Sequence, residues 1–198
     1  MKKRLLSFLI VMFAVLMPTE LWAQEPYAVL SEDSVGSMTL TFYYDMDKAS
    51  HNGLDVGPFD YGSLDSGRGW DDVCNKIQKV VFDPSFANCT SITSTAIWFD
   101  HCSNLSVIEG IENLNVSNVT DMNSMFNGCS SLTSLNLSTF VTEKVSNMRN
   151  LFNGCSNLTS LNVNNFNTSN VIATIQMFLG CSSLETLDLS SFNTGKVS

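Results

Sequence analysis

The sequence predicts an α/β repeat solenoid, about five strand-plus-short-helix coils of about 26 residues behind an N-terminal β-hairpin cap, and three observations predict it. A long phrase recurs: Met125-Phe126-Asn-Gly128-Cys129-Ser-Ser-Leu132 returns as Leu151-Phe152-Asn-Gly154-Cys155-Ser-Asn-Leu158 and as Met177-Phe178-Leu-Gly180-Cys181-Ser-Ser-Leu184. Self-similarity at such a period marks units that bury their apolar faces only by stacking on their neighbours. Within each unit a short alternating stretch reads as a strand, and apolar residues at helical spacing read as a helix of one or two turns.

In chain order, residues 1–23 carry Lys2, Lys3 and Arg4, an apolar run from Leu5 to Met17, then Pro18 and a small residue at Ala23. That is the layout of a secretory signal peptide, since a spanning helix needs about 20 apolar residues. Tyr27-Ala-Val-Leu30 and Met38-Thr-Leu-Thr-Phe-Tyr-Tyr44 flank a polar loop and read as a β-hairpin. The Gly, Asp and Ser-rich stretch from Asp47 to Asp72 reads as irregular, so residues 24–73 form the expected cap with its acidic loop.

Residues 74–198 form the expected repeat array. In Leu132-Thr-Ser-Leu135-Asn-Leu137, Leu135 and Leu137 turn inward and Ser134, Asn136 and Ser138 turn outward by the two-residue period of a strand. The pattern repeats at Leu158–Val163 and Leu184–Leu189, and less regularly at Leu105–Ile111 and Ile77–Phe82, so that the strand starts step from Ile77 to Leu105, Leu132, Leu158 and Leu184. Phe140, Phe166 and Phe192 read as a stacked aromatic spine, and Thr142, Thr168 and Thr194 as helix caps. Val145, Met148, Leu151 and Phe152 supply a helical stripe, closed by Gly128, Gly154 and Gly180 as residues tolerant of positive φ. At Ser198 the period calls for another helix and turn, so the native polypeptide is expected to continue.

Without its segment 1–23 the chain keeps 7 of 10 basic and 18 of 19 acidic residues, a charge of −11. Nucleic acid and anionic membrane surfaces are poor partners for such a chain. Six cysteines in an exported protein raise the question of disulfides. Cys102, Cys129, Cys155 and Cys181 share one repeat position and read as a ladder of buried thiols, because stacked strands hold them slightly too far apart to bridge. Cys74 and Cys89 lie outside that ladder, bridged or free. No metal site is expected, for zinc lacks a C-x-x-C or a histidine pair. The acidic loop with Asp45, Asp47, Asp55, Asp60 and Asp65 reads as solvated, with calcium the sharper alternative. No convergent acid, base or nucleophile is visible, so neither an enzyme activity nor a cofactor is expected, and His101 reads as a strained turn residue.

The repeated pattern Val-x-x-Met-x-x-Met-Phe-x-Gly-Cys-Ser-x-Leu-x-x-Leu-x-Leu-x-x-Phe-x-Thr resembles the BspA-type leucine-rich repeat surface proteins of bacteria over roughly Ile77 to Ser198. The Tyr27–Tyr44 hairpin with Val80–Phe86 looks like the leader found before such repeats. The resemblance implies a leucine-rich-repeat-like solenoid on an exported or cell-surface protein, often an adhesin engaging host extracellular proteins, and it names no ligand. Thr174 in place of the first helical Met, Asn113 near the expected Phe and His101 in place of Gly depart from the pattern.

The expected function is therefore protein binding by the strand face, through stacked polar rows at Ser134, Asn136, Ser160, Asn162, Thr186 and Asp188. Expected partners are host extracellular matrix or plasma proteins, or other surface proteins, with no nucleic acid and no small-molecule cofactor. A structural spacer or scaffold presenting a domain encoded beyond Ser198 is the alternative, and glycan binding ranks last because the face lacks aromatic residues.

Overall fold

The computed structural model describes residues 23–59 and 67–197. The expected signal peptide up to residue 22, and Asp60 and Asp65 of the acidic loop, lie outside the described residues. Strand β1 (Glu25–Glu32) pairs antiparallel with β2 (Met38–Asp45), Leu30 opposite Leu40 and Ala28 opposite Phe42. Asp33 shapes the intervening turn by accepting the Val35 and Ser37 backbone N–H groups. β2 continues the sheet into parallel pairing with β3 (Ile77–Phe82), and β3 pairs in parallel with β4 (Val107–Glu109). Leu40, Phe42, Ile77, Val80 and Phe82 are buried on its inner face. Phe42 stacks on Phe82 at 4.7 Å and on Trp98 at 5.0 Å, tying this sheet to the first repeat.

A second, two-stranded parallel sheet joins β5 (Ser134–Asn136) to β6 (Ser160–Asn162). Elsewhere, successive repeats meet at single parallel bridges running Ser94, Asp121, Asn147, Ala173. Side chains from equivalent positions lie over one another: Phe140, Phe166 and Phe192 at 6.5 and 6.2 Å, and Phe99, Phe126, Phe152 and Phe178 at 5.6 to 5.8 Å.

These small mixed sheets overturn the α/β repeat solenoid of leucine-rich-repeat-like, strand-plus-short-helix coils. Among the described residues there is no α-helix, and the three short 3-10 turns, Asp71–Lys76, Pro84–Asn88 and Ile111–Asn113, all fall outside the stretches expected to be helical. The expected strand at Leu184–Leu189 does not form either.

The reason lies in the backbone. Ile97, Ser124, Asn150 and Gln176 have φ of 54 to 58°, and four positions later His101, Gly128, Gly154 and Gly180 have φ of 59 to 77°. A left-handed residue every fourth position breaks helical hydrogen bonding. Alternate N–H groups then point to the next repeat: Met122 to Asn147 O (2.9 Å), Ser124 to Arg149 O (2.8 Å), Phe126 to Leu151 O (3.0 Å), Gly128 to Asn153 O (2.7 Å). The N–H groups between them close tight turns, Met125 to Met122 O and Cys129 to Phe126 O. Asn123 N–H is taken by the Asp121 carboxylate at 2.8 Å. Met122, Met125 and Phe126 are all buried, so a string of turns satisfies the same apolar spacing as a helix.

The first repeat has no predecessor to supply donors to its carbonyls, and side chains supply them. Trp70 Nε1 donates to Trp98 O at 2.9 Å, and the Arg68 guanidinium donates to Asp100 O at 3.2 Å while pairing with Asp71. Cys74 bonds to Cys102 rather than to Cys89, which is a buried thiol. Its 3-10 turn sets the two Cα atoms 4.7 Å apart, within bridging range, so Cys102 leaves the expected thiol ladder.

Candidate binding surface

Four of the six expected face residues come together. Ser134 lies opposite Ser160 and Asn136 opposite Asn162 in the β5–β6 register, with Ser134, Asn136 and Ser160 exposed and Asn162 half-buried. Alternation sends Leu135 inward between them. Thr186 and Asp188 are exposed as well, but on a segment that pairs with no strand among the described residues. The amide and carboxylate oxygens have local work: Asn136 accepts Ser138 N–H at 3.1 Å, Asn162 accepts Asn164 N–H at 3.2 Å, and Asp188 accepts Ser190 N–H at 2.9 Å. Those bonds to Ser190 hold the Asp188 carboxyl below its ordinary range.

Beside this face the strand stacking is interrupted. β4 pairs with β3 and β5 pairs with β6, and among the described residues no strand pairing joins β4 to β5. The repeats on either side are tied at Ser131 N–H to Ser103 O and at Ser146 N–H to Thr120 O, with Lys144 Nζ donating to Asn118 Oδ1 at 2.6 Å between those ties. The step from Cys102 to Cys129 is one residue longer than the steps from Cys129 to Cys155 and from Cys155 to Cys181. The extra residue is absorbed at Gly110, φ 66°, where a Cβ would run into the Phe82 carbonyl, and in the 3-10 turn Ile111–Asn113 that follows. A groove of about 480 Å³ opens there, floored by Ile108, Ile111 and Leu135 and rimmed by Glu112, Ser134 and Asn136. Glu112 and Thr139 also line an adjoining hollow of about 230 Å³.

Two sets of hydrogen bonds in the repeats were not foreseen, one at threonines expected in another role and one at thiols expected on the ladder. Thr142 and Thr168, expected as helix caps, are buried between repeats: Thr142 Oγ1 donates to Asn167 O (3.1 Å) and accepts from Asn167 N–H (2.8 Å), and Thr168 does the same with Asn193 at 3.0 and 2.7 Å. Cys129, Cys155 and Cys181 donate S–H to the carbonyls of Phe99, Phe126 and Phe152 at 3.1 to 3.2 Å. Burial pushes the Cys155 thiol up to about 12 and the Cys129 thiol well above its ordinary value. Neutral at ordinary pH, these sulfurs act as small apolar groups and not as nucleophiles.

Several further ionisable groups have partners. Tyr27 donates its hydroxyl to Asp45 at 2.8 Å and meets His51 Nδ1 at 3.0 Å, and Asp45 also accepts the Asp47 N–H. Asp55 and Glu25 both pair with Lys48. His101 sits in a turn at φ 59° with Nδ1 3.0 Å from the Asp100 carboxylate. Among the described residues no group of three or more His, Cys, Asp or Glu side chains is placed to hold a metal ion, and no helix is long and apolar enough to cross a membrane.

No curated protein and no solved structure matches the chain. One protein-family model does match, over residues 85–198, and its description reads "Mycoplasma protein of unknown function, DUF285".

Proposed function

We propose, from the premise that this chain belongs to the DUF285 family, that it is a BspA-like bacterial surface protein, exported to the cell surface or beyond, which binds other proteins without catalysis. The partners we assign are host extracellular matrix or plasma proteins, as for an adhesin. The observation that carries this reading is the in-register repetition of Ser134 with Ser160 and Asn136 with Asn162 on adjacent strands, which sets like polar groups one strand spacing apart. A partner with its own repeating polar groups would meet such a face along several strands at once. Support for the non-enzymatic part is that His51 and His101 stand beside Tyr27 and Asp100 rather than beside a nucleophile.

A specific observation favours the second reading, a structural spacer or scaffold: Asn136, Asn162 and Asp188 each spend a side-chain oxygen on holding their own loop. Binding of the full chain to an array of matrix and plasma proteins decides between them. The adhesin reading expects a saturable signal that drops about tenfold or more when Ser134→Arg and Ser160→Arg put bulky cations on the face. A signal indifferent to both substitutions, or none from folded protein, leaves the spacer.

A further inference from the structure

The groove between β4 and β5 combines two independent features. Among the described residues no strand pairing joins its two walls: β4 directs its pairing to β3, as with Ser106 N–H to Gln78 O at 3.0 Å just before it, and β5 directs its pairing to β6, as with Leu137 N–H to Asn162 O at 2.9 Å just after it. In parallel pairing, alternate peptide groups face each side of a strand, so the opposite set on each wall faces the groove. The floor is apolar, from Ile108, Ile111 and Leu135, under a rim of Ser134, Asn136, Ser138 and Thr139. The second feature is electrostatic. The Glu112 side chain, exposed and shared by the groove and the adjoining hollow, makes no hydrogen bond or ion pair among the described residues, and no Lys, Arg or His lines either space. The nearest cation on this sheet, Lys79, is already paired with Glu109 at 2.7 Å.

We propose that this groove docks an extended segment of a partner polypeptide carrying a lysine or arginine, which lies along the two strand edges and sets its cation against Glu112. Strand addition of this kind draws its affinity from main-chain hydrogen bonds and its selectivity from alternate side chains, here one apolar group toward Ile108 and Leu135 and one cation toward the carboxylate. The net charge of −9 also favours the approach of a basic segment. The inference rests on the protein-binding reading; the groove shares Ser134 and Asn136 with the polar rows, and Ser160, which does not line it, separates the failure of one from that of the other.

The test is selection of a random heptapeptide display library on the immobilised full chain, followed by fluorescence anisotropy with the enriched peptides in labelled form. The expected winners alternate β-prone residues and carry at least one Lys or Arg. Their affinity should fall about tenfold or more with Glu112→Lys and return when the peptide's cation is exchanged for glutamate. N-methylation of the peptide backbone should abolish binding, while Ser160→Arg on the neighbouring strand pair should leave it intact. Selection of peptides without basic residues, no enrichment on protein shown folded by circular dichroism, or affinity indifferent to Glu112→Lys overturns the proposal. Peptide binding lost with Ser160→Arg but not with Glu112→Lys places the site on the polar rows instead.

Discussion

Two threonines show how much a single hydroxyl does in this molecule. Thr142 and Thr168 are buried at equivalent positions, and each hydroxyl closes a donor–acceptor pair with the N–H and C=O of one residue of the following repeat. Replacement by an isosteric apolar group loses both bonds, and a hydrogen bond contributes about 0.5 to 1.5 kcal/mol net. Thr168→Val is therefore expected to lower the free energy of unfolding by about 1 to 3 kcal/mol in urea titrations, and Thr168→Ser, which keeps the hydroxyl, by about 0.5 kcal/mol. Equal losses for the two variants would show that packing of the methyl group, not the paired hydrogen bonds, holds the site.

Among the elements, the turn strings carry the most instructive difference between sequence and structure. Apolar residues at Met122, Met125 and Phe126 match a helix, and the structure buries all three, yet through consecutive turns. The spacing reports which side chains share a face and is silent about where alternate N–H groups go. The residues that could have told are small in number: Ser124, Asn150 and Gln176 sit at positive φ without being glycine, and only the glycines at 128, 154 and 180 announce such a backbone by their type. Gly154 lies between its equivalents, an added Cβ reaching 3.4 Å from Gly128 Cα, while His101 already holds the same conformation at φ 59°. Gly154→Ala should thus cost about 1 to 2 kcal/mol and His101→Gly should stabilise by about 1 kcal/mol, read as shifts in the urea midpoint. Stability unchanged in both would remove backbone strain from the account.

The hairpin runs at Tyr27–Leu30 and Met38–Tyr44 and the Phe140, Phe166, Phe192 file were legible because they follow from alternation and period alone. The Cys74–Cys102 pairing was not, since it depends on how the Asp71–Lys76 turn packs on the first repeat. Of the candidate surface, Ser134, Asn136, Ser160 and Asn162 could be read from the strand pattern, whereas the groove follows from one surplus residue near Gly110, visible only as a longer step between Cys102 and Cys129.

For the molecule as a whole, the stacked thiols set a limit on alkaline stability. Burial raises Cys129, Cys155 and Cys181 above the ordinary 9.0, Cys155 to about 12. The unfolded chain releases these protons from about pH 9 upward while the folded chain retains them, so the unfolded state binds fewer protons and stability falls as pH rises. For Cys155 the contribution is complete below pH 9 and declines between pH 9 and about 12 by up to about 1.4 kcal/mol per pH unit, and Cys129 and Cys181 act in the same direction. Melting temperatures at pH 8 and pH 10.5 should show the loss, and the Cys129→Ala, Cys155→Ala double variant should show a shallower one. Identical slopes would assign the alkaline limit to other groups, of which Tyr27 is the first, raised by its own burial and then by its bond to Asp45.

The backbone rungs from turn string to turn string run from earlier N–H to later carbonyl, while the Cys129, Cys155 and Cys181 thiols donate the other way, and the carbonyl side of the first repeat is closed by Trp70 and Arg68. Aligned peptide dipoles add, so the turn strings together form a polar array with a sense of direction, much as a helix has. Each repeat's turn string takes the donors of the one before it on its own carbonyls, so the backbone fixes the sense in which successive repeats stack.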